Sequence, residues 1–428
     1  SENEPDETPD PLQSDSLQKR NFLAISAYQV MLRIGWIFKT ESIIVPAALD
    51  SLGASGFVRG FLPMFGRFGQ SVPPLLIWPL LISARRQRNW LAVTTLLMGL
   101  LFWALSALWH FGWHERGDWI PQAIFLVLYG LFFMTVGVNQ LTLSSLIGKL
   151  IRVHTRGRLM LVANTLGAAC SVTAAWFLLQ RWLGQGEANF AAIFGMSGSC
   201  FLISAVLTYL LREPVNRRAR KHERFHLQDV LADVVRTFRE DANFRLLAVI
   251  SGLCGMSMTL LPHYQTLARE RLDLGFSDLL PWVIAQNIGV ALFSIPAGAV
   301  ADRLGNRVVL RVILLLLTLA PIAALFFSTQ PAVGKTGFMG VFFLLGLTPV
   351  TMRILSNYTL EFTTVEHQPR YLAAQKLSMA APVIFTSTIL GLTLDFLGFE
   401  LVFCLVIACL ALAWYLTFRV HEPREIQQ

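Results

Sequence analysis

The chain has 428 residues, of which 54% are hydrophobic and 14% are charged, and its formal net charge is +8. A soluble domain usually carries roughly 25% charged residues, so this composition excludes a soluble monomer. Helices that cross a bilayer need roughly 20–25 residues each, and the chain is long enough for about twelve of them. The composition therefore predicts an all-α integral membrane protein.

The first twenty residues differ from the rest of the chain. Residues 1–20 are acidic and contain several prolines, and they do not have the basic start of a signal peptide. Such a segment buries too little apolar surface to fold. We therefore expect residues 1–20 to form a disordered acidic tail.

Twelve apolar segments follow this tail. Their approximate bounds are 22–49, 57–82, 89–112, 119–148, 158–182, 188–211, 243–267, 279–301, 308–328, 336–361, 372–396 and 398–418. Because lipid offers no hydrogen-bond partner, each segment is predicted to be a helix. We divide them into an N-terminal six-helix bundle at 21–211 and a C-terminal six-helix bundle at 243–418, with a tail at 419–428.

The linker between the two bundles, residues 212–242, begins with a basic stretch. Its second part repeats apolar residues at helical spacing from Leu227 to Phe238, with charged residues between them. This pattern predicts an amphipathic helix on the cytoplasmic membrane surface. The helix is either a structural connection or a regulatory element that binds lipid.

The distribution of basic residues predicts the orientation. Most of the 35 Lys and Arg residues lie in the termini, the linker and alternate loops. The positive-inside rule places these segments in the cytoplasm, so we expect both termini there, in a bacterial cytoplasmic (inner) membrane. Orientation accounts for the positive charge, and no nucleic-acid partner is expected.

Residues with metal-binding or catalytic chemistry form no recognisable pattern. The five cysteines all fall in apolar segments, without metal-ligand spacing. The sequence contains no nucleophile–base pair, phosphate loop or nucleotide motif that we recognise. We therefore expect no cofactor, no metal and no enzyme activity.

The two halves share landmarks at one fixed offset. A shift of 222 positions places Asn21 on Asn243, Pro74 on Pro296 and Arg85 on Arg307. One offset that holds across two segments and their loops indicates a duplication. It predicts two pseudo-symmetric bundles in parallel arrangement.

A motif in the second half connects the chain to a known family. Residues 298–307 read GAVADRLGNR between two apolar segments, residues 156–158 read RGR, and gate-like residues surround the turn at 357–370. With these motifs the chain resembles the twelve-helix permeases of the major facilitator superfamily, in particular uncharacterised bacterial members. The resemblance implies that superfamily's fold and a transport function.

The resemblance also implies a cytoplasmic gate. Asp302 would lie at the N-terminus of the fifth helix, and Arg303 or Arg307 would pair with Glu361. The residues assigned to the gate are Gly298, Asp302, Arg303, Gly305, Arg307, Gly157, Arg158, Glu361 and Arg370. The corresponding stretch of the first half keeps only Arg85, so we predict a single, asymmetric latch.

Several polar side chains lie at mid-membrane depth, where a charge is costly unless it faces a cavity or a partner. In this superfamily the first, fourth, seventh and tenth helices line a central cavity. The residues assigned to substrate binding are Gln29, Arg33, Trp36, Arg67, Asn139, Gln140 and Arg353. Three arginines without a carboxylate at that depth predict an organic anion. The alternative is a structural role for each.

Lys39, Glu41 and His263 are predicted to lie nearer the outer surface. Glu41 falls on His263 at the 222 offset. These residues are assigned either to an outer gate or to proton coupling. The side chains of Glu41 and His263 can both titrate near neutrality in a suitable environment. The alternative for Lys39 and Glu41 is snorkelling or a structural pair.

The sequence therefore predicts a secondary active transporter that moves a small organic solute by alternating access. An anionic solute and coupling to protons, as a symporter or antiporter, are the finer expectations. One alternative is a proton-driven exporter of drugs or amphipathic compounds. Another is a membrane sensor that keeps the fold without transport, which the decayed first-half motif favours. The expected partners are the solute and the lipid bilayer, and the expected state is a monomer.

Overall fold

The computed structural model describes residues 15–184, 188–214, 227–363 and 367–421, and these residues form helices joined by short turns. The α-helices are α1 (Asp15–Ile37), α2 (Ile44–Ser51), α3 (Gly56–Ser83), α4 (Gln87–His110), α5 (Ile120–Leu150), α6 (Val153–Leu183), α7 (Phe190–Leu207), α8 (Leu227–Glu240), α9 (Ala242–Met256), α10 (Leu261–Leu272), α11 (Leu279–Leu304), α12 (Asn306–Ser328), α13 (Gly334–Leu345), α14 (Leu347–Glu361), α15 (Gln368–Leu397) and α16 (Phe399–Leu416). The described residues contain no β-strand.

The helices form two bundles, α1–α7 and α9–α16, with α8 in the linker between them. Ten helical segments of the described chain are long and apolar enough to cross a membrane. The first two predicted spans are not among the ten. The first corresponds to α1 and α2, and the second corresponds to α3. Charged residues such as Arg33 in α1 and Arg67 in α3 lower their hydropathy, and both helices face a cavity rather than lipid alone.

The prediction of one continuous helix at 22–49 is wrong. Helix α1 ends at Ile37, and α2 begins only at Ile44. In the turn between them, the Thr40 hydroxyl donates to Ile37 O at 2.8 Å, while Thr40 O accepts N–H groups from the start of α2. Irregular backbone at membrane depth is tolerated where protein or a cavity surrounds it. The second half has a break at a similar place, the 3₁₀ turn Ser257–Leu260.

Two asparagines occupy matching places in the two bundles. Asn21 Nδ2 donates to Arg212 O at 3.1 Å, and Asn21 Oδ1 accepts from Arg212 N–H at 2.9 Å. Asn243 exchanges the same two bonds with His421, at 3.2 and 3.1 Å. Each asparagine therefore ties the first helix of its bundle to the chain that leaves the last helix.

The predicted tail boundary differs from the observed one. Helix α1 begins at Asp15, so residues 15–20 are helical and not part of a disordered tail. Asp15 pairs with Arg152 at 3.0 Å, and Arg20 donates to Leu210 O at 3.1 Å. These bonds attach the first turns of α1 to the bundle. Residues 1–14 lie outside the described chain.

The linker helix α8 lies against the C-terminal bundle. Val234 is buried, and the ring of Phe238 lies 5.8 Å from that of Phe244 at the start of α9. Val234 and Phe238 therefore pack on protein, whereas Val235 is exposed. The basic stretch at 215–226 lies outside the described residues.

Candidate functional site

A polar cavity of about 570 Å³ lies between the two bundles. Helices α1, α3, α5 and α6 form one side, and α11 and α14 form the other. Its polar and charged lining residues are Gln29, Arg33, Thr40, Glu41, Ser42, Arg67, Gln140, Asn164, Gln286, Asn287, Thr348 and Arg353. Of the seven residues assigned to substrate binding, the cavity brings together all but Asn139, with Trp36 as an aromatic wall.

Arg33 enters the cavity from the middle of α1. Its Nη1 donates to Asn164 Oδ1 of α6 at 3.0 Å. Gly167, one turn further along α6, gives the side chain room, because a Cβ there would lie 2.9 Å from Arg33 Cδ. The guanidinium has five N–H donors, so this single bond leaves donors that a ligand can use.

Arg67 and Arg353 approach the cavity from opposite bundles. Arg67 Nη1, on α3, lies 3.8 Å from the sulfur of Met352 on α14, which is a weak acceptor. The next residue of α14 is Arg353, whose side chain is exposed within the lining. Guanidinium groups bind carboxylates and phosphates through paired, charge-assisted hydrogen bonds.

Asn139 does not belong to the cavity, so its assignment to substrate binding is wrong. It is 2% exposed, accepts from the Tyr28 hydroxyl at 3.1 Å and donates to Thr94 and Thr95 at 3.1 and 2.8 Å. Consecutive residues of an α-helix point about 100° apart. Gln140 therefore faces the cavity, while Asn139 ties α1, α4 and α5 together.

Three amide side chains of the lining were missed by the sequence reasoning. Asn164, Gln286 and Asn287 lie on α6 and α11, outside the four helices expected to form the cavity. A signal was available, because each is a polar amide within an otherwise apolar segment. Gln286 also accepts a 2.6 Å bond from the Ser42 hydroxyl of the other bundle.

Lys39 and Glu41 form a partly buried ion pair in the turn between α1 and α2. Lys39 Nζ lies 2.7 Å from Glu41 Oε1 and 3.5 Å from the ring centroid of Trp36. Lys39 is fully buried, so it does not snorkel. Glu41 also lines a small pocket with Arg67 and Tyr129. The carboxylate thus sits between two cations at one end of the cavity.

His263 lies elsewhere. It is 1% exposed, it does not line the cavity, and neither ring nitrogen has a hydrogen-bond partner among the described residues. The fixed offset pairs it with Glu41 in sequence. The two side chains nevertheless belong to different surroundings.

Asp50 closes the cavity at one end of the bundles. We call the end that carries the described termini and α8 the linker face, and the other end the opposite face. At the opposite face Asp50 accepts bonds of 2.7 Å from Arg59 Nη1 of its own bundle and 2.7 Å from Gln265 Nε2 of the other. Thr266 donates a third, at 3.1 Å.

Asp395 makes a second closure at the same face. It extends from α15 to the first residues of α3, where it accepts N–H bonds from Gly56 at 2.6 Å and Phe57 at 2.9 Å. A carboxylate at a helix N-terminus is stabilised by the free N–H groups and the helix dipole. The two bundles are therefore sealed together at the opposite face.

Two glycines of the predicted gate make no close helix contact at the linker face in this structure. A Cβ placed on Gly157 or Gly298 would meet no atom within 4 Å, so neither glycine supports a close helix contact here. Arg158 and Arg303 are exposed. Gly305 has a φ of +87°, which explains a glycine at that position of the motif. The side chain of Asp302 lies outside what the structure describes.

The bonds described for two charged residues of the predicted gate lie within the C-terminal bundle. Glu361 Oε1 accepts from Asn306 Nδ2 at 3.0 Å, and Arg307 Nη1 donates to Val420 O at 3.4 Å, both within the C-terminal bundle. Arg370 was expected near Glu361, and its described bonds go to the linker helix. Arg370 instead bonds Thr237 and pairs with Glu240 of α8 at 2.8 Å, because α8 packs beside the start of α15.

Solved transporters share this architecture over nearly the whole chain. A mutant of the nucleoside transporter NupG aligns with TM-score 0.73 at 12% identity, covering 94% of this chain and 100% of that one. A D-xylose-proton symporter gives 0.68 at 14%, covering 94% and 98%. A partially occluded inward open form of XylE from E. coli gives 0.65 at 11%, covering 93% and 99%. At such identities the likeness shows the fold.

Sequence comparison gives the family. Residues 282–428 match the family described as Major Facilitator Superfamily. No curated protein matches the sequence. This match lies in the second half of the chain, and together with the fold it supports the resemblance to the major facilitator superfamily. The match and the ten apolar helical segments support an integral membrane protein.

Proposed function

We propose that this protein is a secondary transporter that carries a small organic anion through the central cavity by alternating access. The observation that carries the proposal is the lining of the cavity by Arg33, Arg67 and Arg353. Two of the arginines belong to the N-terminal bundle and one to the C-terminal bundle. An anion bound between them would contact both bundles, as a substrate must if it is to influence their relative motion.

The charges of the cavity do not cancel. Glu41 is the carboxylate of the described lining, and Lys39 pairs with it at 2.7 Å. The three arginines thus remain as excess positive charge. A charge-assisted hydrogen bond contributes roughly 1.5–3 kcal/mol, so two or three of them supply enough free energy to hold a small anion against hydration.

The amides of the lining favour a polar anion over an amphipathic drug. Gln29, Gln140, Asn164, Gln286 and Asn287 offer both donors and acceptors. Such groups discriminate strongly for hydroxyl or carbonyl substituents, because an apolar substituent would leave buried amides unpaired. Nucleosides and sugars are the neutral competitors that a test must include, since two of the similar folds are a nucleoside transporter and a xylose symporter.

The orientation predicted from basic residues places the linker face in the cytoplasm and the termini with it. With the opposite face sealed by Asp50 and Asp395, this structure then corresponds to the inward-facing state. The latch around residues 298–307 would close in the outward-facing state, when Gly157 and Gly298 come into helix contact. The open surroundings of both glycines are consistent with that cycle.

Glu41 is the residue we propose for proton coupling. It lines the cavity and lies beside Lys39 and Arg67. Protonation of Glu41 would remove one negative charge next to the substrate site and thereby change the affinity for an anion. His263 is less suited, because it does not line the central cavity.

Uptake into proteoliposomes tests the proposal. Carboxylates, phosphate esters, nucleosides and sugars are offered separately, with and without a pH gradient. We expect uptake of an anion by the wild type, and a loss of at least tenfold in Arg33→Gln and Arg353→Gln. Arg236→Gln, an exposed arginine of α8, is the matched control and should transport normally. Unchanged anion uptake in both cavity variants would overturn the anion site.

A further inference from the structure

A second cavity, of about 550 Å³, opens on the surface of the C-terminal bundle. It runs between α9, α15 and α16 and is lined almost wholly by apolar groups, with Phe238 of α8 at its edge. Its named walls include Val249, Gly252, Met256 and Pro382. This groove, which we call the α9 groove, is separate from the central cavity and shares no lining residue with it.

The length of the α9 groove matches one leaflet of a membrane. Its lining extends along α9 from Arg245 to Met256. Eleven residues at 1.5 Å rise span about 16 Å, which is about half of a hydrocarbon core of roughly 30 Å. The groove therefore begins at the linker face and ends near the bilayer midplane.

A single cation stands at the linker-face end of the groove. Arg245 is exposed and forms no ion pair with a described carboxylate. The neighbouring carboxylates are engaged elsewhere. Glu240 pairs with Arg236 and Arg370, and Asp241 accepts from Phe244 N–H at 2.8 Å and from the Tyr371 hydroxyl at 3.2 Å.

The shape of the groove follows from the packing of small groups. A Cβ on Gly252 would lie 3.1 Å from Ser378 O and 3.4 Å from Pro382 Cγ, so α9 and α15 approach closely at the floor. Val249, half exposed on the same helix, leaves the space above this floor unfilled. In a bilayer such a space is filled by hydrocarbon.

We propose that the α9 groove binds an anionic phospholipid from the leaflet at the linker face. Its phosphate binds Arg245, and one acyl chain lies along α9 towards Met256. Charge selects the headgroup, and the apolar walls and the length of one leaflet select the chain. Because Phe238 of the linker helix lines the groove, the bound lipid also contacts α8 and supports its docking on the bundle.

Thermal unfolding of the purified full-length protein in detergent tests this proposal. The additives are phosphatidylglycerol, phosphatidylcholine with the same chains, and glycerol phosphate without chains. We expect phosphatidylglycerol to raise the Tm several degrees more than phosphatidylcholine, and glycerol phosphate to have no effect. Arg245→Gln should abolish the difference between the two lipids, whereas Arg245→Lys should keep most of it.

Two further variants separate the headgroup from the groove. Val249→Trp fills the groove from an exposed position and should reduce stabilisation by both lipids. Arg419→Gln, which removes an exposed arginine at the same face, should leave the lipid response unchanged. Equal stabilisation by the two lipids in the wild type, or a lipid difference that survives Arg245→Gln, would overturn the proposal. Neither result bears on transport of an anion.

Discussion

Asp50 and Gln265 join the two bundles through a 2.7 Å hydrogen bond at the opposite face. The same carboxylate holds Arg59 at 2.7 Å, and Arg269 lies 3.9 Å away. One side chain from the end of α2 thus collects donors from both halves of the molecule. Any state that opens this face must separate Asp50 from Gln265.

Asp50→Asn should shift the equilibrium towards opening of the opposite face. A neutral amide weakens bonds that each contribute roughly 1.5–3 kcal/mol, which is a factor of about ten or more in a two-state ratio. With spin labels at Ser51 and Asp273, the shift would appear as a larger population of molecules with a long distance between the two labels. Asp118→Asn, an exposed carboxylate at the same face, is the control. An unchanged distance distribution in Asp50→Asn contradicts the role of Asp50 as a closure.

The same substitution should have different effects on stability at two glycines. A Cβ at Gly391 would lie 2.1 Å from Gly56 O, so Gly391→Ala should separate α3 from α15 and cost about 1–3 kcal/mol of stability. A Cβ at Gly298 meets nothing within 4 Å, so Gly298→Ala should leave the thermal stability of this state unchanged. Thermal unfolding of both variants measures the contrast. Equal losses would mean that the close contact of α3 with α15 is not formed.

Asn139 and Gln140 should separate stability from substrate binding. Asn139→Ala removes bonds to Tyr28, Thr94 and Thr95, and leaving buried polar groups unpaired should cost about 1–3 kcal/mol. Gln140→Ala should keep stability and raise the KM of transport. Unfolding and uptake measured on both variants check this division. If Asn139→Ala were as stable as the wild type but impaired in uptake, Asn139 would have a role in substrate binding after all.

Docking of the linker helix should weaken at low pH. Hydrogen bonds from Arg236 and then Arg370 lower the pKa of Glu240 below its ordinary value. The Arg236 bond lies within α8, whereas the Arg370 bond joins α8 to α15. The contribution of the Arg370 bond to docking is complete above the ordinary pKa of about 4.3 and is lost as pH falls through the depressed pKa of docked Glu240. Hydrogen exchange in α8 should therefore be constant near neutrality and increase in acid.

Glu240→Gln is the control for this pH dependence. It should make exchange in α8 faster at neutral pH and insensitive to acid over the same range. Arg370→Gln should also speed exchange, since it removes the bonds to Thr237 and Glu240. An acid response that persists unchanged in Glu240→Gln would assign it to another group.

The sequence predicted the charged residues of the central cavity better than the contacts that join the bundles at the opposite face. Arg33, Arg67 and Arg353 could be placed in a cavity because charge at membrane depth is costly without one. Choosing between Asn139 and Gln140 required helix phase, which the approximate bounds of a segment do not provide. Asp50 and Gln265 lie far apart in sequence, near segment ends, where no periodic pattern indicates a contact. The turn at 38–43 was missed although four consecutive polar residues, Lys39 to Ser42, interrupt the apolar segment there.

The interaction expected at the linker face, a carboxylate at the N-terminus of a helix in the other bundle, is observed at the opposite face. Asp395 at the end of α15 binds the N-terminal N–H groups of α3 across the two bundles. Asp302 was expected to do the same for the fifth membrane helix. That expectation stays a prediction, to be tested in the state that opens the opposite face.

Ligand-induced thermal stabilisation is the most direct test of the anion-binding cavity. Carboxylates, phosphate esters, nucleosides and neutral sugars are compared on the wild type, Arg33→Gln and Arg353→Gln. The account predicts that an anion raises the Tm of the wild type and that the rise is lost in both variants. Stabilisation by neutral sugars or nucleosides only, equal in all three proteins, would contradict it.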